Sequence, residues 1–109
     1  MVDFATWQKL DLRLGKILEA EEHPDADKLV VLKVDLGSEH RQLVAGLREY
    51  YEPKELVGRT VVVLANLEPR KLRGVWSQGM LLAGVEEGEG GRVGLITCDK
   101  DLKPGTKVS

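Results

Sequence analysis

Between residues 29 and 36 the chain places Val30, Leu32, Val34 and Leu36 on one side of an extended backbone and Val31, Lys33 and Asp35 on the other. That two-residue period marks a half-buried strand. Comparable runs recur. Leu12, Leu14 and, after Gly15-Lys16, Ile17 begin an extended segment through about Glu21, expected to bend at Gly15. Gly37-Ser38-Glu39 turns the 29–36 strand back into Arg41–Leu47 as a hairpin. Arg59–Leu67 is the most β-branched run in the chain. A further strand is expected from about Gln78 to Val85, with a last one, Val93–Thr97, beyond the glycine-rich turn Glu86–Gly91.

Helical signals are short. Asp3 can cap a helix through about Leu10, with Phe4, Trp7 and Leu10 on one face. Aromatic residues on so short a helix need cover, either by closing one end of the core or by forming a subunit interface through Phe4 and Trp7. Pro53 sits where a second short helix would begin, between the third and fourth strands. His23–Asp27 and Lys103–Thr106 read as turns. Five principal strands, a helical insert between the third and fourth, and a C-terminal β extension describe an all-β domain. Their order is that of a five-stranded Greek-key barrel of the OB type, spanning residues 1–109 as one domain.

Composition narrows the function. A chain of 109 residues with net charge −2 has little whole-molecule attraction for a polyanion, so nucleic-acid binding would need a local patch. The single cysteine, Cys98, excludes an internal disulfide and suits a reducing cytoplasm, where Cys98 is expected to be structural. The acidic, amphipathic start is unlike a signal peptide, and the longest apolar runs fall far short of a membrane span. Glycine-rich phosphate-binding motifs, a nucleophile elbow and metal-ligand spacings are all missing, so no catalytic residue, metal or cofactor is implied. His23, Asp25 and Asp27 are close enough in sequence to hold a cation, but on a proline turn they read better as turn chemistry. His40 is expected to be exposed in its hairpin turn.

The patch is Asn66–Met80. Arg70, Lys71 and Arg73 accompany a single Glu68, so the segment is basic within an acidic chain. Pro69, Gly74, Trp76 and the polar pair Ser77-Gln78 complete it. Cations, hydrogen-bonding groups and flat apolar surface on one connection suit RNA. The segment joins strands four and five of the expected barrel. With the strand one–two connection, which adds Lys28, it belongs to the face on which OB-folds bind nucleic acid. Gln78 and Met80 either both point outward around Gly79, or Met80 begins the core; the pattern allows both.

At these residues the chain resembles the tRNA-binding domain appended to methionyl-tRNA synthetases and found in free-standing structure-specific tRNA-binding proteins. The matching blocks are Val2-Asp3-Phe4, Lys9–Ile17, His23–Leu29, Val34–Gly37, Leu43–Leu47, the whole of Asn66–Met80, and Pro104–Val108. The resemblance implies an OB-fold that docks on the corner of folded tRNA and reads shape rather than sequence. It places Asn66, Lys71, Arg73, Ser77 and Met80 on that surface; Arg70 and Gln78 of the basic segment and Lys28 of the one–two connection are expected on the same face from their positions in the chain. Lys71 and Arg73 would meet phosphates, Asn66 and Ser77 would bond sugars or exposed base edges, and Met80 would make an apolar contact. The roles of Glu68 and Trp76 stay open. Family members of this length are typically homodimers. A related branch resembles a secretion chaperone that binds unfolded peptide on the same scaffold, and a third reading makes the chain a piece of a synthetase.

Overall fold

The computed structural model describes residues 1–109. In chain order the elements are α1 (Phe4–Trp7), β1 (Leu12–Glu22), β2 (Val30–Asp35), β3 (His40–Ala45), α2 (Pro53–Leu56) and β4 (Thr60–Leu64). There follow β5 (Arg70–Leu72), β6 (Val75–Ser77), β7 (Met80–Leu81), β8 (Ala83–Val85) and β9 (Val93–Leu95). The main sheet runs β3-β2-β1-β4-β7, antiparallel throughout, and β5-β6 and β8-β9 are separate hairpins. This is the expected OB-type barrel.

The alternation of β2 is realised as read: Val30, Leu32, Val34 and Leu36 are all buried. They join Ile17, Leu43, Leu47, Val61, Val63 and Leu81 in one cluster, into which α2 inserts the fully buried Leu56. Pro53 begins α2, where a missing N–H costs nothing. Burying each such side chain stabilises the fold by about 1.5–3 kcal/mol. A smaller cluster of Leu12, Leu14 and Val62 packs against the half-buried Cys98, which accounts for that residue structurally.

β1 must serve two neighbours, pairing β2 along Lys16–Glu22 and β4 along Leu12–Lys16. Its irregularity falls between Ile17 and Glu19 rather than at Gly15. Gly15 has another use: a Cβ there would lie 2.5 Å from Val34 Cγ1, so its bare backbone lets the sheet coil closely across the core.

The expected fifth strand is divided. β7 pairs with β4, and after Leu82 the chain leaves the barrel to form β8 with β9. The run is thus shared between two sheets, β7 at the edge of the barrel sheet and β8 in the hairpin beyond it. The extension is tied back by Thr97 Oγ1 donating to Thr60 O at 2.7 Å and Leu95 N donating to the Tyr51 hydroxyl at 3.2 Å. The tail closes over β1, with Gly105 N donating to Leu14 O (2.7 Å), Leu14 N to Thr106 O (2.8 Å) and Val108 N to Leu12 O (2.8 Å).

α1 is shorter than expected. Asp3 does cap it, its carboxylate accepting from Thr6 N at 2.8 Å, but the helix ends at Trp7 and continues as i→i+3 turns to Leu10. None of its residues is buried, so it does not close the core; Phe4, Trp7 and Leu10 remain exposed.

Candidate nucleic-acid interface

The basic segment is a hairpin, not a loop. β5 and β6 pair Arg70 with Ser77, Lys71 with Trp76 and Leu72 with Val75. The two residues between, Arg73 and Gly74, have φ of 52° and 89°, the double left-handed turn whose twist matches a two-stranded ribbon. A left-handed arginine is uncommon, which is why the turn is hard to read from sequence. Pairing sorts the side chains. Leu72 and Val75 are half-buried and Ser77 is buried against the barrel, whereas Lys71 and Trp76 project outward and are exposed.

Three contacts seat the hairpin. His23 is buried, and its Nδ1 accepts from Asp25 N at 2.9 Å. Its Nε2 must therefore carry the proton and donates to Leu72 O at 3.0 Å. Both ring nitrogens are spent in joining the β1–β2 turn to the hairpin, so the histidine is turn chemistry and has no nitrogen free for a metal. Gln42 of β3 donates from Nε2 to Trp76 O at 2.7 Å. Ser77 Oγ accepts from Val44 N at 3.0 Å and donates to Gly79 O at 3.0 Å.

Two expected contact residues make bonds within the fold. Ser77 is buried and its hydroxyl closes the seam between β3 and β7, so it shapes the surface from beneath and is not offered to a ligand. Asn66 is exposed, but its Oδ1 accepts from Asp11 N (2.9 Å) and its Nδ2 donates to Lys9 O (2.7 Å), fastening the segment after α1 to the end of β4. Gln78 stays exposed, pairing with Gln42 through Gln78 N to Gln42 O (2.8 Å) and Gln42 N to Gln78 Oε1 (3.3 Å). Met80 points outward, with the buried Gly79 and Leu81 on either side. Gly79 is required there: φ is +130° and a Cβ would sit 2.9 Å from Leu64 O.

An ion-pair chain supports the base of the segment. Arg13 bonds Asp11 through Nε (3.0 Å) and Nη2 (2.6 Å) and approaches Glu39 at 3.6 Å. Glu39 pairs with Arg41, whose Nη1 donates to Ala65 O (2.8 Å) and Gln78 O (3.1 Å). The Arg13 hydrogen bond holds the Asp11 carboxyl below its ordinary value and raises the guanidinium in return. The Arg41 hydrogen bond lowers Glu39 likewise. These arginines are neutralised within the fold.

Arg70, Lys71 and Arg73 are not. None of the chain's eight ion pairs includes them, and all three are exposed. Lys28 is mostly exposed, with Glu49 at 3.6 Å, and lines a shallow depression with Arg73, Ala26, Asp27 and Leu29. The folded chain thus brings Lys28 beside the hairpin tip across more than forty residues of sequence. Cations without an ion-pair partner on a paired ribbon, beside exposed Trp76 and Met80, make a local positive surface on a molecule of net charge −2. Sequence reasoning missed His23 and Gln42 as the supports of this surface. The alternation Lys71-Leu72 / Val75-Trp76 around a glycine-containing pair was the available signal.

Known proteins share this fold. Residues 12–107 match the family model described as "Putative tRNA binding domain". The chain is 62% identical over 107 residues to the methionine–tRNA ligase of Pyrococcus abyssi, aligning 98% of itself with 14% of that protein. It therefore spans about one seventh of the length of the curated relatives it matches. The crystal structure of a MetRS-related protein from Pyrococcus horikoshii superposes with a TM-score of 0.89 at 35% identity, covering 100% of this chain and 98% of that one. The chaperone CsaA of Bacillus anthracis superposes equally well, at 0.89 and 34% identity, covering 100% and 99%. With the family model matched across nearly its whole length, the chain belongs to this tRNA-binding domain family.

Proposed function

We propose that this domain is a non-catalytic affinity module that docks on the corner of folded tRNA through the β5–β6 hairpin, in association with a methionyl-tRNA synthetase. The observation that carries the reading is the unpaired set Arg70, Lys71 and Arg73 on a ribbon fixed by His23, Gln42 and Ser77. A rigid cationic ribbon suits a ligand whose phosphates and 2′-hydroxyls hold a fixed geometry, as those of folded RNA do. The identity to synthetase relatives supports the partner. Asn66 and Ser77 act here as supports, while Lys71, Arg73, Arg70, Lys28, Gln78 and Met80 form the contact surface.

Competition among folded tRNA, linear RNA of equal length and an unfolded polypeptide tests the reading. Folded tRNA should compete best, and its affinity should fall steeply with salt as displaced counterions are released. Equal competition by linear RNA would refute shape recognition. Preference for the polypeptide would favour the second reading, a chaperone, which the likeness to CsaA supports.

A homodimer completes the proposal. Phe4 and Trp7 on α1, with Leu10 just beyond it, form an exposed apolar row with no residue of the helix buried in its own chain, and a second copy would cover it. Sedimentation should give a mass near twice 12.1 kDa, and a monomer at working concentration would refute it.

A further inference from the structure

We infer that Trp76 is a stacking platform for one unpaired nucleobase of the bound RNA, with Lys71 set beside it for the adjoining phosphate. The inference rests on the reading of the chain as a tRNA-binding module and adds to it a contact with a base.

The indole is held at its root and free at its ring. Trp76 O accepts from Gln42 Nε2 at 2.7 Å, and the strand on the other side is pinned by His23 to Leu72 O at 3.0 Å. Yet the residue is 52% exposed, which is unusual for a tryptophan on an ordered ribbon. The backbone beneath the ring is therefore fixed, while about half of the residue's surface is left open to solvent. Lys71, its cross-strand partner, lies with Nζ 5.9 Å from the ring centroid, at the outer limit of a cation–π contact. Such a loosely held ammonium can turn to an anion at small cost.

A nucleotide offers a flat π face and a phosphate a few bonds apart, and this pair of side chains offers the complements of both. Stacking of this kind accepts any base, so it agrees with a module that reads shape and not sequence. Arg70 and Arg73, unpaired on the same hairpin, favour a polyanion over an apolar peptide as the occupant.

The test is binding of unfractionated folded tRNA to Trp76→Ala, Trp76→Leu and Trp76→Phe across a salt titration, with sedimentation of each variant. Alanine and leucine should each weaken binding about tenfold, whereas phenylalanine, which restores an aromatic face, should recover most of the affinity. The slope of log affinity against log salt should not change, because no phosphate contact is removed. Leucine separates stacking from mere apolar bulk. If the alanine and leucine variants bind as the wild type does, the platform is overturned while the tRNA reading stands. If the wild type shows no preference for tRNA, both fall. A changed sedimentation mass for Trp76→Ala would make the ring a contact between copies and overturn the platform.

Discussion

Replacing Lys71 and Arg73 together by alanine is expected to weaken the binding of folded tRNA by about 2 kcal/mol or more, roughly thirtyfold, as for two phosphate contacts without base specificity. The two side chains leave the hairpin at different places, Lys71 from the outward face of β5 and Arg73 from the turn, so they would meet different phosphates and their effects should nearly add. Neither side chain is buried or ion-paired, so the fold should be unaffected. The salt dependence should also become shallower, by between about one and two in the slope of log affinity against log salt. Filter binding or titration calorimetry at several salt concentrations would measure both. Wild-type affinity in the double variant would move the site off this hairpin. Lost affinity with an unchanged slope would mean that the cations act on something other than phosphate.

The second large effect concerns the tail that closes the barrel. Gly105→Ala should destabilise the fold by about 3 kcal/mol and lower the melting temperature by roughly 15 °C. Gly105 has φ of +89°, and a Cβ there would stand 2.5 Å from Leu36 O and 3.2 Å from the Gly37 Cα. Both obstacles are backbone, so no rotamer change relieves them. Displacing Gly105 would also break its 2.7 Å bond to Leu14 O and strain the 2.8 Å bond from Leu14 N to Thr106 O. Gly58 provides the control, since it has the same φ of +89° with nothing within 4 Å of its would-be Cβ. Gly58→Ala should therefore cost only the torsional part, about 1 kcal/mol. Thermal unfolding of the two variants separates steric from conformational cost. Equal melting temperatures would show that the tail is free to move away.

Much of the architecture is legible in the sequence. The β2 pattern, the hairpin at Gly37, the proline-led α2 and the β-branched β4 each carry a local signal, because burial on one face writes a period into the chain. The division of the last barrel strand was not legible, since Met80 to Val85 reads as one apolar run and only its two different partners bend it. Composition marks the basic segment, but not its two strands, because the turn between them uses an arginine where asparagine or aspartate usually announces the geometry.

By itself, then, the sequence determined the class of fold, the strand order and the segment on which cations gather. Those properties follow from local periodicity and from which residue types lie near one another along the chain. Only the tertiary structure decided which polar groups stay exposed and unpaired and which are taken up by the fold. Asn66, Ser77 and His23 look as available in sequence as Lys71 or Arg73, yet their hydrogen bonds are taken by Lys9, Asp11, Val44, Gly79, Asp25 and Leu72. Most of those partners lie far off in sequence, and a buried polar group must find its bonds wherever the closed barrel supplies them.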